Sequence, residues 1–204
     1  KLLQTSQGAD VKPHVITSGI EHHAILEPLL WLERTGEIEL TTVGVSREGL
    51  VDVDEVVAAF KPNTVLVTIM MANNEIGTIE PIADIGRRIL AWRKEQKTAY
   101  PYFHTDACQA AGALDLNVEK LHVDLLTMNG SKIYGPKGMG LLYVRKGVKL
   151  EAIIRGGGQE RNIRSGTENV PGIMGLAKAF SLVCENREVE NARLTVLRDR
   201  LVNG

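Results

Sequence analysis

V-D-L-L-T-M-N-G-S-K-I-Y-G-P-K-G-M-G-L-L-Y-V-R, residues 123–145, reads as two short β-type runs joined by a polar, glycine-flanked turn. The second run, residues 140–145, follows the Lys132 turn after only a few residues. That connection is too short for a parallel crossover of about 10–12 residues, so the second run should lie antiparallel to the first. Upstream, short β-branched runs alternate with longer amphipathic stretches. Strands are expected at 14–17, 38–43, 65–71 and 102–104. Helices are expected at 21–34, stopped by Gly36, at 52–60, capped by Asp52, and at 82–92. Two further helices are expected at 170–182 and 188–201, the second heavily charged on one face. The pattern predicts an α/β fold: a mainly parallel sheet with one antiparallel strand and helices on both faces.

Composition sets outer bounds. At 204 residues the chain is long enough for one sizeable core. A formal net charge of −1 gives no electrostatic basis for nucleic acid as the main partner. No apolar run approaches the roughly 20 residues needed to span a bilayer, and no charged n-region precedes an apolar h-region. Two cysteines, Cys108 and Cys184, make no disulfide framework and fit a reducing compartment, the cytoplasm or an organelle. The chain opens on Lys1-Leu2-Leu3-Gln4 without methionine and stops just after a helical pattern, so both ends are expected to be cut.

In such sheets ligands sit outside the carboxyl ends of the strands. Four polar clusters fall at those ends: Glu21-His22-His23, Asn73-Asn74-Glu75, Asp106 to Gln109, and Asn129 to Lys132. An acid, Asp106, and a lysine, Lys132, on the ends of successive strands are what pyridoxal phosphate chemistry requires. The lysine joins the cofactor's aldehyde, and the acid keeps the pyridine nitrogen protonated so that the ring takes up electrons. Gly130 and Gly135 would let backbone approach a ligand closely, with Ser131 and the amide of Asn129 beside the lysine.

Other readings of these residues are weaker. Pro136 stands where a P-loop needs lysine, and Gly156-Gly157-Gly158 completes no dinucleotide fingerprint. His104, Asp106 and Cys108 alternate like metal ligands on a strand, but no fourth ligand follows at zinc-like spacing, and no metal is expected. Cys108 sits beside Ala107 and is read as an inert buried thiol. His22 and His23 open a helix, where an imidazole serves as a cap or lies over an aromatic cofactor. Asn73 and Asn74 either form a turn or donate to a bound phenolate or carboxylate. Arg161, Arg164, Ser165 and Thr167 make a basic, hydroxyl-bearing loop suited to phosphate.

E-H-H-A-I, M-A-N-N-E-I-G-T-I-E-P-I, H-T-D-A-C-Q-A-A-G, N-G-S-K-I-Y-G-P-K-G and G-G-G-Q-E-R-N-I-R-S-G-T-E-N-V occur in this order. Over essentially the whole chain they resemble the cysteine desulfurase family of class V, fold-type-I pyridoxal phosphate enzymes. The last two motifs are specific to its desulfurase and selenocysteine lyase branch. The resemblance implies that residues 1–204 are the large, cofactor-binding domain. The small C-terminal domain, the catalytic-cysteine loop, the substrate-carboxylate arginine and an upstream phosphate turn would all lie outside the chain. It matches Lys132 to the cofactor lysine, Asp106 to the partner of the ring nitrogen and His22 to the histidine stacked on the ring. Gln109 and Asn74 match side chains near the ring hydroxyl. Thr167 matches a phosphate ligand lent to a dimer partner, which implies a homodimer. Asn129 stands where the family has a phosphate-binding serine, and Ser131 where it has a histidine.

The activity implied is conversion of L-cysteine to L-alanine. Sulfur would pass to an enzyme cysteine as a persulfide, then to an acceptor or scaffold protein for iron–sulfur cluster assembly or other sulfur transfer. On this reading the chain alone would be inactive. A selenocysteine lyase, another class V aminotransferase, or a dimerisation module without activity are the competing expectations.

Overall fold

Six strands rich in β-branched and long apolar residues form one sheet: β1 His14–Ser18, β2 Glu39–Val43, β3 Thr64–Thr68, β4 Tyr102–Asp106, β5 Leu125–Asn129 and β6 Gly140–Val144. The structure is a computed structural model, and it describes residues 11–204. The opening Lys1-Leu2-Leu3-Gln4 therefore lies outside the described residues. Strand order is β2-β1-β3-β4-β5-β6. β5 and β6 pair antiparallel, Asn129 against Gly140, and every other pair is parallel. The chain steps outward from β1 to β2 and then returns past β1 to β3, so the winding reverses between β1 and β3.

The helices are α1 His23–Arg34, α2 Val53–Ala58, α3 Ile82–Gln96, α4 Val118–Leu121, α5 Gln159–Asn162 and α6 Val170–Asn203. Strand alternation divides the core between the two faces of the sheet. Val15 and its β3 partner Leu66 pack with Leu29 of α1 on one face. The next pair, Ile16 and Val67, packs with Val56 of α2 and Ile82, Ile85 and Ile89 of α3 on the other. A register irregularity at the start of β3 puts Val65 on the Leu29 face as well. A third cluster joins Met128 of β5 to Ile133, Ala111 and Leu176 of α6. The mixed sheet with helices on both faces is as the periodicity predicts.

One expected boundary is absent. Residues 170–182 and 188–201 are not two helices but parts of the single 34-residue α6. The linking residues 183–187 are Val, Cys, Glu, Asn and Arg, with neither glycine nor proline to break the backbone. α3 also runs four residues past its expected end, to Gln96, where Lys97 turns left-handed at φ 51°. β3 closes at Thr68, yet its apolar run stays attached to β4. Ile69 N–H donates to His104 O at 3.2 Å and Met71 N–H to Asp106 O at 2.9 Å. The short α4 and α5 have no counterpart in the periodicity.

Two buried histidines fasten the sheet crosswise. His14 on β1 bonds Thr41 Oγ1 on β2 and Thr64 Oγ1 on β3, both at 2.8 Å. His104 on β4 bonds Thr68 Oγ1 on β3 at 2.8 Å and Thr127 Oγ1 on β5 at 3.3 Å. Burial is the main cause lowering both rings, His104 to about 4. An unfolded chain therefore binds protons that these folded rings refuse, and their stabilising contribution shrinks as pH falls below the unfolded value of about 6.5. For His104 the loss is complete only below about 4. The fall in melting temperature between about pH 6.5 and 4.5 should be shallower in His104→Asn than in the unsubstituted protein. Parallel melting curves for the two would remove this role from His104.

Beneath β4 and β5 lies a buried ion pair. Asp124, whose side chain is 4% exposed, meets the Arg93 guanidinium from α3 and accepts Phe103 N–H at 2.8 Å. Arg93 Nε also donates to Pro101 O at 2.8 Å. The pair thus ties α3 to the amino ends of the two strands whose far ends carry Asp106 and Lys132. Removing one partner of a buried pair leaves the other charge uncompensated, and Asp124→Ala should cost about 3–5 kcal/mol in urea denaturation. A loss below about 1 kcal/mol would mean that the pair contributes no more than a surface one.

Candidate active site

β1, β3, β4 and β5 are parallel and adjacent, so their carboxyl ends share one edge. Across that edge the segments after each strand bring the His22 loop, the Asn73-Asn74 turn, Asp106 and the Lys132 turn into one row. The winding reversal between β1 and β3 opens a crevice at the same edge, where open α/β sheets take ligands.

Lys132 is exposed on a single 3-10 turn, Gly130–Ile133. Asn129 caps it: Oδ1 accepts Ser131 N–H and Ser131 Oγ–H, both at 2.9 Å. This use of Asn129 Oδ1 leaves its amide N–H groups as the donors available to an anion. Ile133 is buried and anchors the turn from below, while Tyr134 turns left-handed at φ 60° to end it. The glycines serve packing where the sequence reading assigned them to a ligand. A Cβ on Gly130 would come within 3.0 Å of Leu176 Cδ1 and 3.1 Å of Met139 O. A Cβ on Gly135 would meet Gly130 O at 2.9 Å. They let α6 seat the turn.

Asp106 ends β4 and is 7% exposed. Its Oδ1 accepts Cys108 N–H at 2.9 Å, which orients the carboxylate and leaves Oδ2 for a ring nitrogen. The strand stops at Asp106, so Cys108 does not continue the alternation that would make His104, Asp106 and Cys108 a ligand set. Among the described residues no group of three or more His, Cys, Asp or Glu side chains could hold a metal. Cys108 is half-buried rather than fully buried, between Asp106 and Lys132. Burial first, and then Asp106, push its thiol up to about 12, which suits a packing group and not a nucleophile. Cys184 is exposed on α6.

Gln109 and Lys132 line one cavity of about 570 Å³, closed on the far side by Leu182, Val183 and Leu194 of α6. His22 is the N-cap of α1, with Nδ1 accepting Ala24 N–H at 3.1 Å and the ring exposed. The capping role expected for this histidine is therefore present, and it still leaves Nε2 for another contact. Asn74 is exposed at the tip of its turn. Its neighbour Asn73 builds that turn. Oδ1 accepts the N–H groups of Glu75 and Ile76 at 2.8 and 3.0 Å, and Nδ2 donates to Ile20 O at 3.1 Å. Thr167 lies apart from this row, on an exposed loop between α5 and α6 that follows the left-handed run Glu160, Arg161, Asn162.

The row fits pyridoxal phosphate by the chemistry of its donors: an exposed amine, an oriented buried carboxylate, exposed amides at Asn129 and Gln109, and an exposed imidazole. Comparison with known proteins adds the family. The class V aminotransferase family model matches residues 3–198. The chain belongs to the class V aminotransferase family. It is 50% identical over 195 residues to the cysteine desulfurase IscS of Methanosarcina thermophila, covering 96% of this chain and 46% of that protein. To a cysteine desulfurase of Gluconacetobacter diazotrophicus it is 42% identical over 202 residues, covering 99% and 48%. The chain thus spans about half the length of the curated relatives it matches. Among solved structures it superposes on a NifS-like protein with TM-score 0.88 and 40% identity, over 95% of this chain and 52% of the other. A structure titled SspA in complex with cysteine matches with TM-score 0.76 and 42% identity, over 83% and 47%.

Sequence reasoning placed Glu21 in the first polar cluster without giving it a role, and it missed the Arg93–Asp124 pair. The signal that could have given Glu21 a role is an acid directly before two histidines at the end of a buried strand.

Proposed function

We propose that this chain is the cofactor-holding part of a pyridoxal phosphate-dependent cysteine desulfurase. The observation that carries the reading is the pairing of an exposed Lys132 with a buried, oriented Asp106 on adjacent strand ends. The names of the relatives at 40–50% identity support the substrate class. Bound at Lys132, pyridoxal phosphate supplies an electron sink for negative charge at the Cα of an amino acid. Asp106 Oδ2 holds the proton of the ring nitrogen. Lys132 Nζ would take the proton from the substrate Cα, and the exposed imidazole of His22 would pack against the ring. Gln109 and Asn74 would orient the ring hydroxyl, and the Asn129 amide would offer donors to the phosphate, with Ser131, both of whose donors go to Asn129 Oδ1, holding that amide in place.

In this reading L-cysteine loses its sulfur to an enzyme cysteine as a persulfide, and L-alanine leaves. Neither Cys108 nor Cys184 serves as that thiolate, because the half-buried Cys108 thiol is held up to about 12 beside Asp106 and Cys184 is fixed within the helix α6, not on a loop. The full-length enzyme is a homodimer in which the Thr167 loop reaches the partner's phosphate. It works in the cytoplasm or an organelle and passes sulfur to an acceptor or scaffold protein. The test supplies L-cysteine, L-selenocysteine or an aminotransferase substrate pair to the full-length protein with pyridoxal phosphate and a reductant. One alanine per sulfide from L-cysteine is expected. Turnover of selenocysteine alone, or transamination alone, would replace this reading with the corresponding relative's.

A further inference from the structure

Glu21 sits in the crevice where the winding reverses. Its Oε1 accepts Ser18 Oγ–H on β1 at 2.7 Å and Met70 N–H just past β3, also at 2.7 Å. One carboxyl oxygen therefore clamps the two strands at the point where they diverge. The bond from Asn73 Nδ2 to Ile20 O crosses the same crevice. Together they fix the backbone that carries His22.

Among the described residues, Glu21 Oε2 is buried with no partner. The charged groups facing Glu21 are both acids: Asp106 at the end of β4 and Glu80 ahead of α3. Glu80 uses Oε2 to accept Val51 N–H at 2.8 Å, and its own Oε1 is likewise buried without a partner. Among the described residues no lysine or arginine forms a salt bridge with Glu21, Glu80 or Asp106. A third anion here would be desolvated, unpaired and repelled. Burial first, with Asp106 and Glu80 adding to it, lifts Glu21 to about 7 against the two hydrogen bonds that lower it. The proton belongs on Oε2, since both donors point at Oε1.

We propose that Glu21 is a positioning residue of the cofactor site: as the neutral acid it clamps the His22 loop to β3 and leaves Asp106 as the anion that meets the ring nitrogen. The inference rests on the pyridoxal phosphate reading above. Ionisation of Glu21 adds an unpaired charge to the crevice, draws in water and loosens the clamp. Cofactor affinity should therefore fall as pH rises through the range in which Glu21 loses its proton.

The experiment measures the dissociation constant of pyridoxal phosphate for the full-length apoprotein between about pH 6 and 8.5, for the unsubstituted protein, Glu21→Gln and Glu21→Ala. Circular dichroism on each variant checks folding, and carbon-13 NMR of labelled glutamate follows the carboxyl itself. The expected result is a loss of affinity of about tenfold across that range in the unsubstituted protein. Glu21→Gln, which mimics the neutral acid, should flatten the profile. Glu21→Ala should bind weakly at every pH. A glutamate resonance that titrates near neutral pH and vanishes in Glu21→Gln would support the assignment. Superimposable pH profiles for the unsubstituted protein and Glu21→Gln would overturn it, as would tighter binding by the unsubstituted protein at high pH. No pyridoxal phosphate binding by the unsubstituted protein would instead sink the parent reading, and this one with it.

Discussion

Lys132→Ala in the full-length protein should abolish L-cysteine turnover, with a loss of about 10⁴-fold or more, because it removes the covalent anchor and the base at once. The fold should survive. Lys132 is exposed, makes no salt bridge among the described residues, and stands on a turn held by Asn129, Ile133 and α6. Melting temperature should therefore stay close to that of the unsubstituted protein. The yellow colour of a lysine-bound cofactor should be lost, and borohydride should fix cofactor to the Lys132 peptide only in the unsubstituted protein. Lys137 is the competing candidate, since it lies five residues on in the same glycine-rich stretch. It sits beyond the left-handed Tyr134 and beside Gly138 at φ 79°, outside the turn that Asn129 caps. Label recovered on Lys137, or turnover retained by Lys132→Ala, would remove the central residue of the site.

Much of the sheet was legible because its strands are short, apolar and β-branched, and the punctuation between them is strong. Gly36 at φ 76° and the Asp52 cap, which accepts Asp54 N–H at 2.7 Å, stop and start elements where the residues say they should. The antiparallel β6 followed from connection length alone. What failed was the long-helix region. In α6 a gap in the apolar pattern at 183–187 was read as a boundary, although nothing there forbids helical backbone. Only Gly172 and Leu176 of α6 are buried, so its far part has no apolar stripe to read.

The candidate site divides in the same way. Residues placed by strand ends, Asp106, Lys132, His22 and Asn74, could be located from pattern because the parallel topology puts all those ends on one edge. Groups that act through tertiary contact could not. The Asn73 bond to Ile20 spans 53 residues, the Glu21 bond to Met70 spans 49, and Arg93 meets Asp124 across 31. No periodicity records such pairs. The glycines of the Lys132 turn were visible but misassigned, since what approaches them is the turn's own backbone and, from α6 more than thirty residues away, Leu176 and Ala179. A glycine announces close approach without naming what approaches.

Asp106→Asn should leave the fold and the cofactor's attachment to Lys132 intact, yet lower kcat for L-cysteine by about 10²–10³-fold or more. The amide oxygen of asparagine still accepts the Cys108 N–H, so the turn after β4 keeps its geometry. What disappears is the negative charge. A carboxylate stabilises a protonated ring nitrogen beside it, whereas a neutral amide does not, and an unprotonated ring is a poor sink for the electrons of a Cα–H bond. The buried setting magnifies the difference, because Asp106 is 7% exposed and little water is present to screen it. Loss in kcat with cofactor still fixed on Lys132 by borohydride separates an electronic role from a binding one. The neighbourhood supplies a further check. Asp106 is among the causes that hold the Cys108 thiol up, and it also lifts Glu21, so both groups should titrate lower in Asp106→Asn. Glu21 should shift by less than Cys108, since Asp106 is a minor cause for the first and a leading one, after burial, for the second. Activity within tenfold of the unsubstituted protein would show that some other group holds the ring proton, and Glu21, the nearest buried acid across the crevice, would be the residue to substitute next.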